Sequence, residues 1–265
     1  MNKDHDLAET SSNHKIKYVI TAGGSFAPSH RGHLRFWENA IQFYYQLKKQ
    51  DDPALDQSQI LLVVFPVNDF SPKQSIQETT FLHRYNLLKL LLEHSTNPNI
   101  VLDDYQFRCH KTGLGYTFDE VDYIRTKYPN AKPVILYGLD NMMAAISNSW
   151  KISLKMQQRL FHGNAFLSAH SSCPGDKRGY LPNIVEKFNE QMEELGFQSE
   201  LNVFPVAMED SNLSSTRIRE IIQDFRKFMN KKEKKKELLK FVFPSQTEYL
   251  FKHQLWKLNK NLSSK

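Results

Sequence analysis

Two continuous apolar runs, residues 60–65 (ILLVVF) and 133–137 (PVILY), constrain this chain more than any other feature. Each has strand length and neither has a polar face, so each must be covered on both sides, which a sheet with one wet face does not provide. Around them the period changes. After a first strand at 15–22 (KIKYVITA), apolar residues recur at Trp37, Ala40, Ile41, Tyr44 and Leu47, intervals that describe one face of a helix over 33–48. Further helices are expected at 82–92, 117–127, 184–195, 215–228 and 246–256, and further strands at 99–102, 165–168 and 201–205. Strands alternating with helices make βαβ units and a parallel sheet. The expected fold class is α/β, a doubly wound parallel sheet with helices on both faces, and ligands on such a sheet gather at the carboxyl ends of its strands.

At 265 residues the chain can bury its own core. A single domain is expected over 15–258, between loose tails at 1–14 and 259–265. Net charge is +6, which spread over a fold would suggest a polyanionic partner. It is not spread. Residues 226–240 (RKFMNKKEKKKELLK) hold eight basic residues and two glutamates, and the rest of the chain balances at 27 basic and 27 acidic. Only one aromatic, Phe228, lies among those lysines, where a stacking platform needs several, so nucleic acid is not the expected partner. The block reads as a solvated lysine-rich insertion or helix extension. The longest apolar run, 60–67, is too short for a bilayer, and no membrane partner is expected. The polar, acid-bearing first residues match neither a secretory nor a mitochondrial leader, and Cys109 and Cys173 form no CxxC pair or zinc spacing. A reducing cytoplasm is the expected setting.

Directly after the first strand comes Gly23-Gly24-Ser25-Phe26-Ala27-Pro28-Ser29-His30-Arg31-Gly32-His33, and then a helix. Paired glycines let a backbone approach a phosphate, and a helix start adds N–H groups and the positive dipole end. The two histidines would face one site from loop and helix. Downstream, Leu213-Ser214-Ser215-Thr216-Arg217-Ile218-Arg219 puts hydroxyls and amides together at a helix start, with Arg219 one turn in. Ordinary N-capping with a solvent-facing arginine explains the same residues. Asp140, after the 133–137 strand, would serve as a helix N-cap, and Thr117 with Glu120 makes a T-x-x-E capping box.

The run GGSFAPSHRGHLRFWENA resembles the H-x-G-H nucleotidylyltransferases, and specifically the nicotinate/nicotinamide mononucleotide adenylyltransferases. Residues 213–219 are similar to that family's I-S-S-T-x-I-R. Gly138-Leu139-Asp140 is similar to its G-A-D, with leucine for alanine, and residues 113–119 (GLGYTFD) to its G-x-S-Y-T-x-D, with Gly115 for serine. Residues 66–69 (PVND), the later Lys73 and the closing 243–256 extend the resemblance over about 17–256. It implies a Rossmann-like fold and adenylyl transfer from ATP to a pyridine mononucleotide, giving a dinucleotide and pyrophosphate in NAD biosynthesis.

The resemblance further implies His30, His33 and Arg219 as catalytic contacts to the ATP phosphates. Gly23, Gly24, Ser25, Phe26, Gly138, Asp140, Ser214, Ser215 and Thr216 would bind ATP; Lys73, Tyr116, Thr117 and Trp150 would bind the mononucleotide. Mg2+ would arrive bound with ATP, and no metal site made by the protein is expected. His170 stands where the family has an arginine near a strand end. Nicotinate against nicotinamide stays open, as does a homo-oligomer. Nucleotidyl transfer to phosphopantetheine or a polyol phosphate, or a catalytically silent nucleotide-binding regulator, are the alternatives.

Overall fold

The structure, a computed structural model, describes residues 15–70, 78–109, 115–149, 151–171, 184–206, 213–223 and 231–256. Strands β1 (Tyr18–Gly24), β2 (Ile60–Pro66), β3 (Ile100–Leu102), β4 (Lys132–Tyr137), β5 (Ala165–Ser171) and β6 (Glu200–Val206) form one sheet in the order β3-β2-β1-β4-β5-β6. Every neighbouring pair is parallel. The chain starts at the centre, winds out to β3, then returns past β1 to build the other half. The reversal therefore lies between β1 and β4, where a doubly wound sheet places its ligand crevice. The register opens that crevice: Thr21 pairs with Ile135 as the last β1–β4 partners, while Ala22, Gly23 and Gly24 stay paired only with β2.

Alternation along the strands loads both faces. Ile20, Ala22, Leu62, Val64, Val134 and Leu136 pack one face against α1 (Arg31–Asp51) and α2 (Phe81–Leu92). The opposite-parity residues Val19, Val63, Phe65, Ile135, Tyr137 and Phe166 meet the second helical layer. After the short α3 (Tyr105–Cys109), that layer comprises α4 (Thr117–Lys127), α5 (Leu139–Ile146), α6 (Leu154–Phe161) and α7 (Ile184–Leu195). This is the expected fold class. The short helices α3 and α6 are not in the sequence expectation, and α5 enters it only through Asp140 as a helix start, since pieces of eight residues or fewer hold too few turns to declare a period.

The last three helices differ most from expectation. Of the helix expected over 215–228, α8 spans Ser215–Gln223 and residues 224–230 lie outside the described ones; α9 (Lys231–Leu238) is a further helix not among those expected. The final helix, α10, is Pro244–Lys252, because Pro244 presets the first helical turn. Ile218, Ile221, Leu238, Val242, Leu250 and Trp256 form a separate apolar cluster with Leu87 and Ala27. Three helices thus close over the turn that leaves β1. The basic block is not solvated throughout. Lys232 and Lys236 are exposed, but Lys234 is buried and its Nζ donates to Ile222 O at the end of α8, 3.1 Å away. A cation there meets the negative end of a helix. No helix among the described residues is long and apolar enough to cross a membrane.

Lys234→Ala should lower the unfolding free energy in urea by about 1–2 kcal/mol, whereas Lys236→Ala should stay within about 0.5 kcal/mol of the parent.

Candidate active site

The turn leaving β1 has no ladder to join, so its carbonyl oxygens need donors from elsewhere. Val67 N–H donates to Gly24 O at 3.0 Å. Arg84, fully buried on α2, donates to Ser25 O at 3.2 Å and Val67 O at 2.7 Å, and pairs with Asp69 at 2.9 Å. Arg219 donates to Ala27 O, the Ser215 hydroxyl to Pro28 O at 2.7 Å, and the Gln246 amide to Ser29 O at 3.2 Å. Beyond the Gly24 carbonyl, which still bonds to the chain leaving β2, the negative ends of four turn peptides are neutralised by side chains. What the crevice receives is a rigid turn with its carbonyl charge already spent.

His30 is the N-cap of α1 in extended conformation, and His33 sits one turn inside. Their rings approach to 3.8 Å between centroids. His30 N–H donates to His33 Nδ1 at 3.2 Å, so the hydrogen-bond pattern puts the His33 proton on Nε2. Burial pushes the His33 pKa down to about 4. Burial lowers His30 well below its ordinary value, and the adjacent His33 adds to it. Both imidazoles are therefore neutral at pH 7, and His33 Nε2–H is a donor that brings no charge of its own.

Two glycines let this cluster assemble. A Cβ on Gly32 would fall 3.0 Å from Leu213 Cβ and 3.1 Å from His30 Nδ1, so the glycine between the histidines lets the lead-in to α8 touch α1. A Cβ on Gly24 would fall 2.7 Å from Phe26 Cζ. That ring covers Gly24 and meets His33 and Trp37 edge-on at 5.2 and 5.5 Å. To reach there Phe26 adopts φ 45°, a conformation costly for a residue with a side chain.

The remaining expected residues fall as follows. Ser214 Oγ accepts from Arg217 N–H at 3.1 Å at the start of α8, and Thr216 Oγ1 accepts from Arg219 Nη2 at 3.0 Å. Arg219 makes these two bonds with a five-donor guanidinium, which leaves it donors for an anion. Gly138 is the N-cap of α5 across the crevice, exposed and with open space beside it. Asp140 is therefore inside the first helical turn and not the N-cap; its side chain lies outside the described ones.

Tyr116 is exposed, caps α4 and stacks on Phe118 at 4.9 Å, and Thr117 meets the Tyr137 phenol. The Thr117–Glu120 capping box does not form. The Asp119 carboxylate accepts from Tyr116 N–H at 3.2 Å, one residue earlier, and Glu120 is buried. Lys73, Trp150 and the side chain of His170 lie outside the described residues.

The structure thus gathers Gly23, Gly24, Ser25, Phe26, His30, His33, Ser214, Ser215, Thr216 and Arg219 at one turn. Sequence reasoning missed Arg84 and Gln246, which hold that turn. Arg84 carried one signal, its place among Phe81, Leu87, Leu88 and Leu91 on the buried face of α2. Among the described residues no group of three or more His, Cys, Asp or Glu could hold a metal ion.

Comparison with known proteins places these features in context. The family model described as cytidylyltransferase-like matches residues 21–221. The nicotinate-nucleotide adenylyltransferase of Bacillus subtilis is 32% identical over 126 residues, 47% of this chain, and the match spans 57% of that protein. A probable nicotinate-nucleotide adenylyltransferase of Caldicellulosiruptor saccharolyticus is 23% identical over 239 residues, 90% of this chain and 98% of that one. Among solved structures, Plasmodium falciparum nicotinic acid mononucleotide adenylyltransferase complexed with NaAD aligns with a TM-score of 0.62 and 19% identity, covering 91% of this chain and 97% of that one. At that identity the likeness shows the fold.

The neutral histidines set a pH signature. The folded pKa of His33 lies below its unfolded value of 6.5, so the folded state takes up fewer protons between those values and loses stability as pH falls from about 6.5 to 4. For His33 alone the loss is on the order of 3 kcal/mol. The thermal unfolding midpoint should fall over that window, and the His33 ring should still read as neutral by NMR at pH 5.5.

Proposed function

The chain belongs to the cytidylyltransferase-like family, and on that premise we propose that it transfers adenylate from ATP to nicotinate or nicotinamide mononucleotide, releasing pyrophosphate and forming the dinucleotide for NAD biosynthesis. The observation that carries this reading is the turn itself: five carbonyls held by protein donors beside two neutral histidines, at the switch point of the sheet. The named activities of the Bacillus and Caldicellulosiruptor relatives support it.

The attacking group in this reaction is already a phosphate anion, so the residues need not remove a proton. Their work is to hold two phosphorus-bearing reactants in line and to meet charge as it moves toward the departing pyrophosphate. His33 Nε2–H and His30 contact the α-phosphate and its neighbours. Because both rings are neutral, they contribute most when negative charge builds up in the transition state. Ser214, Ser215, Thr216 and Arg219 take the far phosphates, where the starts of α1 and α8 add their dipoles. Tyr116 and Thr117, with Lys73 and Trp150, hold the mononucleotide. The donors at the turn are imidazoles, hydroxyls, amides and a guanidinium, a set that suits phosphate oxygens; Mg2+ would come carried on ATP and neutralise phosphate charge there.

Purified protein with ATP, Mg2+ and each mononucleotude in turn should release pyrophosphate with at least one; silence with both contradicts the proposal. His33→Ala should cut kcat by about 10²–10³-fold, the usual loss for one donor to developing charge, with the fold intact by circular dichroism.

A further inference from the structure

Glu120, on α4, is buried, has no cation beside it among the described residues, and lies under the end of β1. Its Oε1 accepts from Gln106 Nε2 of α3 at 2.8 Å, while Glu120 Oε2 and Gln106 Oε1 have no hydrogen-bond partner among the described residues. A Cβ on Gly23 would fall 3.0 Å from Oε2 and 3.3 Å from Oε1, so the carboxyl rests directly on the backbone that begins the glycine turn. Among the described residues the ionisable groups around it are Asp119 on its own helix, Asp103 after β3, Tyr105 on α3 and Tyr137 on β4. Asp103 is already engaged by Lys127 at 3.0 Å and the Tyr123 hydroxyl at 2.9 Å.

An ionised Glu120 would keep one hydrogen bond, face acids and leave two buried oxygens unsatisfied, an arrangement costly in a dry site. A neutral carboxyl resolves all three. With a small rotation its Oε2–H donates to Gln106 Oε1 while Gln106 Nε2 donates to Oε1, closing a two-bond ring between acid and amide. Burial pushes the Glu120 pKa up to about 8; the Gln106 bond offsets part of this, and Asp119 and Asp103 add to it.

We propose that Glu120 is a positioning residue: as a neutral acid it joins α3 and α4 to the backbone of Gly23, and its ionisation displaces the glycine turn and shuts the site on the alkaline side. It touches no reacting atom and acts through Gly23. The catalytic arm of its test rests on the adenylyl-transfer reading above; the stability arm does not.

The experiment compares the parent with Glu120→Gln, which keeps the ring and cannot ionise. For pyrophosphate release, kcat/KM of the parent should fall about tenfold between pH 7 and 9, as for loss of one essential proton, while Glu120→Gln keeps the neutral-pH rate and lacks the fall. An equal alkaline fall in both overturns the proposal. In thermal unfolding, a carboxyl whose folded pKa is raised stabilises fully below about pH 4.5 and loses that contribution as pH rises through about 8. The parent should therefore lose stability relative to Glu120→Gln from pH 5 to 8; a pH-independent difference overturns the proposal whatever the chain catalyses. Should the variant not fold, the side-chain carboxyl of the parent can be titrated by 13C NMR, where a midpoint near 8 supports the assignment and one between 4 and 5 ends it.

Discussion

The carbonyl oxygens of Ser25, Ala27, Pro28 and Ser29 leave the sheet with no neighbouring strand to join, and their hydrogen bonds come from donors as far as 217 positions away in sequence. A carbonyl left unsatisfied there costs about 1–3 kcal/mol, so the turn cannot hold its shape until α2, α8 and α10 have docked. This requirement explains the last third of the chain. Helices α8, α9 and α10 share one apolar cluster with Ala27, and Phe241 O accepts from Arg31 N–H at 3.0 Å, tying the end of the basic segment to the start of α1. The closing helices are part of how the crevice is made.

Electrostatically the same arrangement keeps positive charge off the histidines and leaves Arg219 as a cation that faces an incoming anion. His33 is kept neutral by burial and His30 by burial and by His33, and the buried guanidinium of Arg84 is spent on two carbonyls and Asp69. Donors and helix ends remain, fixed in place by contacts that press a Cβ at Gly24 into the Phe26 ring and crowd one at Gly32 against Leu213 and His30. The strain at Phe26 belongs to this fixing, since the left-handed backbone is what lays its ring over Gly24 and against His33. Preorganised dipoles of this kind act on charge that develops during reaction more than on charge already present.

The parts of this that could be read from sequence are those fixed by neighbours in sequence. Gly23, Gly24, His30, Gly32 and His33 lie within eleven residues, and a strand before them and a helix after them leave little freedom in how they meet. The buried runs at 60–65 and 133–137 likewise announced a doubly covered sheet. What stayed hidden depends on partners far away. Arg84, Lys234 and Gln246 are single polar residues in ordinary helices, and only tertiary packing makes them buried donors. Lys234 was further masked by the lysines around it. Glu120 was read as one half of a capping box because its spacing from Thr117 is right, but the helix begins one residue out of phase, with Tyr116 as the cap, and that shift turns Glu120 inward.

The account stands on the turn between β1 and α1 being a phosphate cradle. A crystal structure of the protein with a non-hydrolysable ATP analogue and Mg2+ tests this most directly. The triphosphate should lie at the carboxyl end of β1 within hydrogen-bond reach of His30, His33 and Arg219, with the carbonyls of Ser25, Ala27, Pro28 and Ser29 still held as they are here. A triphosphate bound elsewhere, or a turn whose carbonyls must be released before the nucleotide fits, would contradict it.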